Sequence, residues 1–356
     1  AAAADRPSVW DRALSSSLAE LDPTDDAAQS LNVLALKSHA IARSILDGLG
    51  REKTAALLAA LRSRYRGTHF HAADLARVAA ELDADLEPLI GDWLHETTLP
   101  GFVTSSVVVE RLADDGQGNP RYQTRFHVLN DESTPGLLRV RYATGAEATQ
   151  DSRWDETEPV RLAGHEAVEI GVLSSTPPRE LWLQPYLSLN RQDVQLTLPR
   201  VDQEKQASAA PFLGRRPSAW RPAKTADIVV DDLDPGFAVE SDEEENGVRL
   251  GGGLASFFVG VPDMDQGLPE ASEFNGSSTE WSRREESSSW GKYRHTIAQI
   301  GSGSGTRRAV FTATLPHAGR WRLAYHLPAL TSQRGSASPG PGILIDIRVG
   351  LEGALG

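Results

Sequence analysis

The sequence contains no cysteine, a single methionine and only five lysines among its 36 basic residues. The absence of cysteine excludes disulfides, thiol nucleophiles and zinc–thiolate sites. No apolar run approaches the roughly 18 residues that a membrane-spanning helix requires, so no membrane span is predicted. The chain does not open with methionine, and its first residues lack the basic end and apolar core of a signal peptide. We therefore expect the chain to be part of a longer protein.

The charge balance argues against two kinds of partner. A formal net charge of −13 predicts no binding to nucleic acid or to anionic membranes, whose phosphates would repel the chain. With 356 residues the chain has room for two or three domains, each with its own core. The residue patterns below predict a multi-domain α + β protein. It comprises an N-terminal helical subdomain (1–102), a β-sandwich (103–202), a linker (203–226) and a second β-sandwich (227–356).

Apolar residues in the first segment recur with the period of a helix and predict four short amphipathic helices. Asp85 is a suitable N-cap for the fourth, and Pro88 falls in its first turn, where a missing N–H does little harm. Gly50 and Gly67 are expected to end the first two. The four apolar stripes are Leu34, Ile41, Ile45 and Leu49; Leu57, Leu58, Leu61 and Tyr65; Leu75, Val78, Ala79 and Leu82; and Leu86, Leu89, Ile90, Trp93 and Leu94.

Several short motifs follow one another in this segment. They are a helix led by Lys37, Leu49-Gly50-Arg51-Glu52, the run from Leu61 to Gly67, Asp74-Leu75, Asp85-Leu86, and Asp92-Trp93-Leu94 with Leu99-Pro100-Gly101-Phe102. Their order resembles the helical tail of the catalytic domain in gluzincin zinc aminopeptidases, the alanyl-aminopeptidase-like metallopeptidases. The resemblance implies that an upstream catalytic domain is the partner of this region. It also implies that zinc is the cofactor of the parent protein.

The zinc site of that family uses two histidines and a glutamate as ligands, with a further glutamate as general base. No stretch of this sequence reproduces it. His95-Glu96 has Leu99 where the second histidine is needed, and His165-Glu166 is followed by strand-like alternation. His69-Phe70-His71 lacks a third ligand at suitable spacing. We interpret these histidines as solvated or capping residues. The chain itself is predicted to hold no catalytic, cofactor-binding or metal residues and to be non-catalytic.

From residue 103 the period changes from 3.6 to 2, which predicts antiparallel strands with one face in water. Turn residues separate the runs and no helix intervenes, as in a β-sandwich. The resemblance implies an Ig-like β-sandwich at this position. His127 and His165 are predicted on the polar faces of strands. The apolar positions are Tyr122, Phe126 and Val128; Leu138, Val140 and Tyr142; Val168, Ile170 and Val172; and Val194, Leu196 and Leu198.

Residues 203–226 are polar and include Pro211, Pro217 and Pro222. This composition predicts a semi-extended linker that acts as a hinge and that proteases cut early.

A second set of motifs follows the linker. It comprises Val230-Asp231-Asp232, Asp234-Pro235-Gly236-Phe237, Trp281 and Trp290, Gly291 with Tyr293-Arg294, and Leu315-Pro316 with Ala318-Gly319. These residues resemble the golvesin-type β-sandwich domain, a module found at the ends of bacterial extracellular enzymes and described as carbohydrate-binding-like. Strands are predicted at 228–230, 309–315, 321–327 and 343–349. Because the last of these lies so near the end, the module is predicted to be incomplete and prone to association through an open edge.

Other features of this module are interpreted as structural. The acidic stretch 241–280 begins like a calcium loop, but Gly253 stands where a bidentate glutamate is required, so a solvated loop is predicted. The glycine-rich residues 301–305 predict a turn rather than a phosphate cradle. Trp281 and Trp290 are more typical of core residues than of sugar-stacking residues.

Three hypotheses for function follow. In the first, the chain is the non-catalytic C-terminal region of a zinc aminopeptidase-like protein, which supports the catalytic domain and positions it outside the cytoplasm, in the secreted or cell-envelope fraction. The alternative is a glycan- or envelope-binding display protein built from two β modules. The third is a spacer without a ligand.

Overall fold

The computed structural model describes residues 9–22, 24, 27–92, 94–145, 153–201, 210–224, 227–241, 281–286, 288–301, 306–317 and 319–326. The helices in these ranges are α1 (Val9–Ser15), a 3-10 turn (Leu18–Glu20), α2 (Ala27–Tyr65), α3 (Ala72–Glu81) and α4 (Glu87–Ile90). The strands are β1 (Phe102–Thr104), β2 (Val108–Leu112), β3 (Arg121–Asn130), β4 (Gly136–Thr144), β5 (Arg153–Glu156), β6 (Val160–Leu162), β7 (Ala167–Ser174), β8 (Glu180–Pro185), β9 (Val194–Gln195), β10 (Gly214–Pro217), β11 (Phe237–Ser241), β12 (Ser282–Glu285), β13 (Thr296–Gln299) and β14 (Arg307–Phe311). The described chain is thus mixed α + β with antiparallel sheets, as predicted.

Two glycines shape the helical segment. The first two predicted helices join into α2, which is interrupted at Gly50 (φ 80°, ψ 165°), a conformation open to glycine at little steric cost. The fourth predicted helix is shorter than expected, because Gly91 (φ 54°) ends α4 one turn after it starts. Its N-cap is Leu86, and Asp85 instead accepts the Glu87 N–H at 3.2 Å. The apolar stripes meet in one small core: Ile45, Leu57, Leu61, Val78, Ala79, Ala84 and Leu86.

The first β module consists of two antiparallel sheets. In the first sheet, β10, β7 and β3 lie side by side, and β1 and β2 both pair with the far edge of β3. In the second, β9, β8 and β4 lie side by side, and β5 and β6 share the far edge of β4. Apolar side chains of both sheets form one core, so the two sheets pack face to face in a sandwich-like arrangement. The core residues are Phe102, Val107, Val109, Phe126, Val128, Leu138, Val140, Val160, Leu162, Val168, Ile170, Leu181, Leu183 and Leu196.

Part of the predicted linker 203–226 is a short strand of the first sheet. Residues 214–217 form β10, which pairs with β7, and Pro217 is tolerated because β10 is an edge strand of the described sheet. The same segment also covers part of the outer face that was predicted to lie in water. The Phe212 N–H donates to Gln123 Oε1 at 2.8 Å, and Trp220 stacks on His127 with 5.9 Å between ring centroids. The sandwich therefore extends at least to residue 217.

The second β module is described only in part. It contains two antiparallel pairs, β11 with β14 and β12 with β13. The predicted strand at 228–230 is wrong, and residues 321–326 are exposed rather than half-buried, with Leu323 70 % exposed. In the described chain these two segments have no paired neighbour, and an extended run becomes a strand only through such pairing. The predicted strand at 343–349, residues 242–280 and residues 302–305 lie outside the described residues.

Helices long and apolar enough to cross a membrane are not found in the ranges that the structure describes.

Candidate functional site

The helical segment packs on the outer face of the second sheet through a polar cluster. Arg139 points outward because the side chains of a strand alternate between faces and its neighbours Leu138 and Val140 belong to the core, and Tyr186 follows β8 directly. The Tyr186 hydroxyl donates to Asp47 Oδ2 at 2.6 Å, and Arg139 lies 3.4 Å from Asp47 Oδ1. Arg43, one turn before Asp47 on α2, lies over the Tyr186 ring at 5.3 Å. Burial, reinforced by the Asp47 carboxylate, raises the pKa of Tyr186 well above its usual value. Asp47 thus joins the helical segment to the sandwich.

A buried lysine lies beside this cluster. Lys37 is 3 % exposed, and its ammonium donates to the Ser16 carbonyl oxygen at 2.8 Å. Burial lowers its pKa. Lys37 also lines a cavity of about 30 Å³ between α2, residues 96–100 and the start of β4, which is room for about one water molecule. Lys37, which led the first predicted motif, therefore fixes α2 against the segment that follows α1.

Two buried asparagines hold the chain where it passes from helices to strands. Asn190 accepts the Phe102 N–H and donates to the Phe102 carbonyl, both at 2.9 Å. Asn130 accepts the Gly101 N–H at 3.2 Å and donates to the Thr134 carbonyl at 2.8 Å. Phe102 pairs with β3 along one edge, and the Asn190 amide bonds to its backbone groups on the other edge, as buried polar groups require. No periodicity or motif pointed to either residue, because a single asparagine at a strand end or in a loop gives no such signal.

The second β module docks at the same place. Asn190 Nδ2 also donates to the Tyr293 carbonyl at 2.8 Å, and the Tyr293 hydroxyl donates to Glu132. A Cβ at residue 101 would lie 2.5 Å from the Tyr293 ring, so glycine is required for this approach. Burial, helped by Glu132, raises the pKa of Tyr293 to about 12. Gly101 of the first set of motifs and Tyr293 of the second are therefore in contact.

A charged network lies inside the second module. Arg283 is fully buried and donates to Asp232 Oδ2 at 2.7 Å, while the Thr296 hydroxyl donates to Asp232 Oδ1 at 2.7 Å. Arg294 donates to Glu285 at 3.1 Å, and burial raises the pKa of Glu285. Paired charges of this kind tolerate burial because each carries matched hydrogen bonds. The network links residues 231–234 to β12 and β13.

Asp231 differs from its neighbour Asp232. Burial and the adjacent Asp232 carboxylate raise the pKa of Asp231 to about 7. Its N–H donates to Asp234 Oδ2 at 2.7 Å, which closes a turn over residues 231–234. Asp231 is therefore the described carboxyl group that changes charge near neutral pH.

The histidines singled out in the sequence lie apart from these clusters. His95 is exposed and lies 2.8 Å from Asp92, whereas His71 is the N-cap residue of α3. His127 is on β3, as predicted, and contacts the Ser218 hydroxyl at 2.9 Å. His165 was predicted on a strand, but it occupies a turn between β6 and β7 with φ 58°. The described residues contain no group of three or more His, Asp or Glu side chains placed to hold a metal ion.

The two tryptophans of the second module have different surroundings. Trp290 is 53 % exposed, so the prediction of a core residue is wrong for it. Trp281 is half-buried, and its indole nitrogen has no hydrogen-bond partner among the described residues.

No protein-family model matches the chain, and no curated protein is significantly similar to it. The two resemblances therefore rest on the quoted residues alone.

Proposed function

We propose that the chain is a non-catalytic supporting region of a zinc aminopeptidase-like protein, which holds the catalytic domain in position outside the cytoplasm. The observation that carries the proposal is the contact of Asp47 with Arg139 and Tyr186. A support must keep its parts in fixed orientation, and a half-buried carboxylate that pairs with Arg139 and accepts the Tyr186 hydroxyl favours one arrangement because any other separates these groups. Docking of Tyr293 at Gly101 extends the same support to the second β module.

The order of motifs from Lys37 to Phe102 supports a proposal for the partner. In the resembled peptidases this helical tail is continuous with the catalytic domain, so the proposed partner is an upstream catalytic domain. Zinc would be held there and not by this chain.

Sequencing the reading frame upstream of Ala1 tests the proposal. We expect an in-frame helix bearing His-Glu-x-x-His with a further glutamate downstream. An in-frame start codon close to Ala1, with no such motif before it, would contradict the proposal.

An assay of the 356-residue chain gives a second test. The chain is expected neither to retain stoichiometric zinc nor to hydrolyse aminoacyl p-nitroanilides. One tightly held zinc per chain, lost in the His95→Ala or His165→Ala variant, would contradict this expectation.

A further inference from the structure

The part of the second sheet that the helices leave open carries a groove. The groove has a volume of about 200 Å³ and lies on the same outer face as Arg139 and Tyr186. Because β5 and β8 both pair with β4, the groove residues on these three strands are neighbours across the sheet. The residues that line the groove are Arg141, Trp154, Glu180, Trp182, Gln184 and Asp193.

Two indoles form the apolar part of the groove. Trp154 on β5 and Trp182 on β8 are separated by β4, so their backbones lie about 10 Å apart across the sheet. The Trp182 indole N–H donates to Glu180 at 3.1 Å, and the Arg141 guanidinium lies over Trp154 at 4.2 Å. Both rings are half-buried, so each retains solvent-accessible surface while its orientation is held by a polar neighbour.

The polar groups of the groove are held in place yet incompletely bonded. Gln184 is only 6 % exposed, and its amide nitrogen donates to Asp193 at 2.5 Å. Among the described residues its Oε1 has no hydrogen-bond partner, and Arg141 Nε on the neighbouring strand has no hydrogen bond either, although it lies 3.8 Å from Glu156 Oε1. Buried acceptors and donors of this kind are normally satisfied by water or ligand. A hydroxyl group serves both, because it donates and accepts.

The charges exclude several classes of ligand. Glu180 and Asp193 oppose an anion such as a phosphate or uronate, whereas the Arg141 guanidinium already occupies the Trp154 face on which an ammonium group would lie. The groove is too small for a protein interface and smaller than the roughly 300–1,000 Å³ of pockets for drug-sized ligands. The class of ligand that fits the groove is therefore a neutral molecule with hydroxyl groups and an apolar C–H face. Such a face is attracted to the electron-rich face of an indole.

We propose that this groove binds one residue of a neutral saccharide chain, with Trp182 as the stacking platform and Gln184 and Arg141 as hydroxyl partners. The site belongs to the first β module, away from the second-module tryptophans that the sequence suggested. It is independent of the supporting role, because the Asp47 cluster occupies a different part of the sheet face.

Calorimetric titration of the full chain with four neutral hexasaccharides, derived from xylan, laminarin, mannan and chitin, tests the proposal. We expect at least one to bind with a Kd of about 0.1–1 mM. Trp182→Ala should weaken that binding by about tenfold or more, and Gln184→Leu should also weaken it. Trp290→Ala is the matched control, since it removes an exposed tryptophan from the other module, and it should leave the Kd unchanged.

A second variant distinguishes loss of the binding site from loss of the fold. Trp182→Phe keeps an aromatic platform but loses the bond to Glu180, so it should bind more tightly than Trp182→Ala while unfolding at the same temperature as the parent chain. Failure of all four hexasaccharides to bind, or equal binding by the parent chain and Trp182→Ala, would overturn the proposal. Loss of binding in Trp290→Ala would place the site on the other module and would overturn it as well.

Discussion

At the scale of single residues, side-chain amides and carboxylates form contacts between distant segments that the periodicity of the sequence does not reveal. Asn130 and Asn190 hold the backbone of 101–102, and Asp47 joins α2 to the sandwich. The helical stripe predicted Ile41 and Ile45 as core-facing, but it cannot show which polar residue of the same helix meets a strand far along the chain. Such long-range pairs depend on the tertiary arrangement.

The Asp231 carboxyl group predicts how stability depends on pH. In the unfolded chain it titrates near 3.9, whereas folding raises the pKa to about 7. Below about pH 4 it is protonated in both states and has no effect on stability; between about pH 4 and 7 the unfolded chain binds fewer protons, so stability falls as pH rises. Above about pH 7 the destabilisation is complete.

Asp231→Asn removes that destabilisation. We expect the variant to gain about 1–2 kcal/mol at pH 8, since solvent screens part of the repulsion, and less at pH 5. Thermal unfolding at the two pH values measures the difference. Asp227→Asn, at an exposed position, is the control and should change stability at neither pH. An equal effect of Asp231→Asn at both pH values would show that its charge is not responsible.

Replacing Asp47 tests the helix–sandwich contact. Asp47→Ala leaves the Tyr186 hydroxyl without its partner and leaves Arg139 with Glu156 as its ion-pair partner, which should lower the free energy of unfolding by about 1–2 kcal/mol. Glu52→Ala, at an exposed position of the same helix, should change it by less than about 0.5 kcal/mol. Urea unfolding compares the two, and similar values would mean that Asp47 contributes nothing specific.

At the scale of elements, the alternation of apolar residues predicted several core strands. It did not predict elements whose extent depends on a single glycine or proline. The core strands β3, β4 and β7 were predicted from their alternation, whereas β8, which contributes Leu181 and Leu183 to the core, was not predicted. The short α4 and the strand β10 were missed for local reasons. Gly91 ends a helix whose apolar stripe continues, and the prolines near β10 suggested a linker although an edge strand accommodates Pro217.

Docking of β10 depends on a glycine in β7. A Cβ at Gly171 would lie 2.7 Å from the Phe212 ring and 2.8 Å from the Phe212 carbonyl oxygen. Gly171→Ala should therefore displace 212–217 and cost about 1–3 kcal/mol. Faster amide exchange at 214–217 would report the displacement. Gly116→Ala, where an added Cβ meets nothing within 4 Å, is the control, and equal exchange in both variants would contradict the account.

At the scale of the whole molecule, the order of helices and then antiparallel sheets followed from the change in period at residue 103. The contacts between modules did not, because they involve single residues far apart in sequence, such as Gly101 and Tyr293. The same holds for the open groove on the second sheet. Alternation predicts that Trp182 and Gln184 share a face, but not that the helical segment leaves them uncovered.

The central claim is that the helical segment and the first β module keep one fixed orientation. Because the chain has no cysteine, two introduced thiols can be labelled uniquely. Spin labels at Glu52→Cys and Glu158→Cys, both exposed positions, report the distance between α2 and the loop after β5 by pulsed electron resonance. The account predicts one narrow distance distribution that broadens when Asp47→Ala and Tyr186→Phe are added. A broad distribution that these substitutions leave unchanged would contradict it.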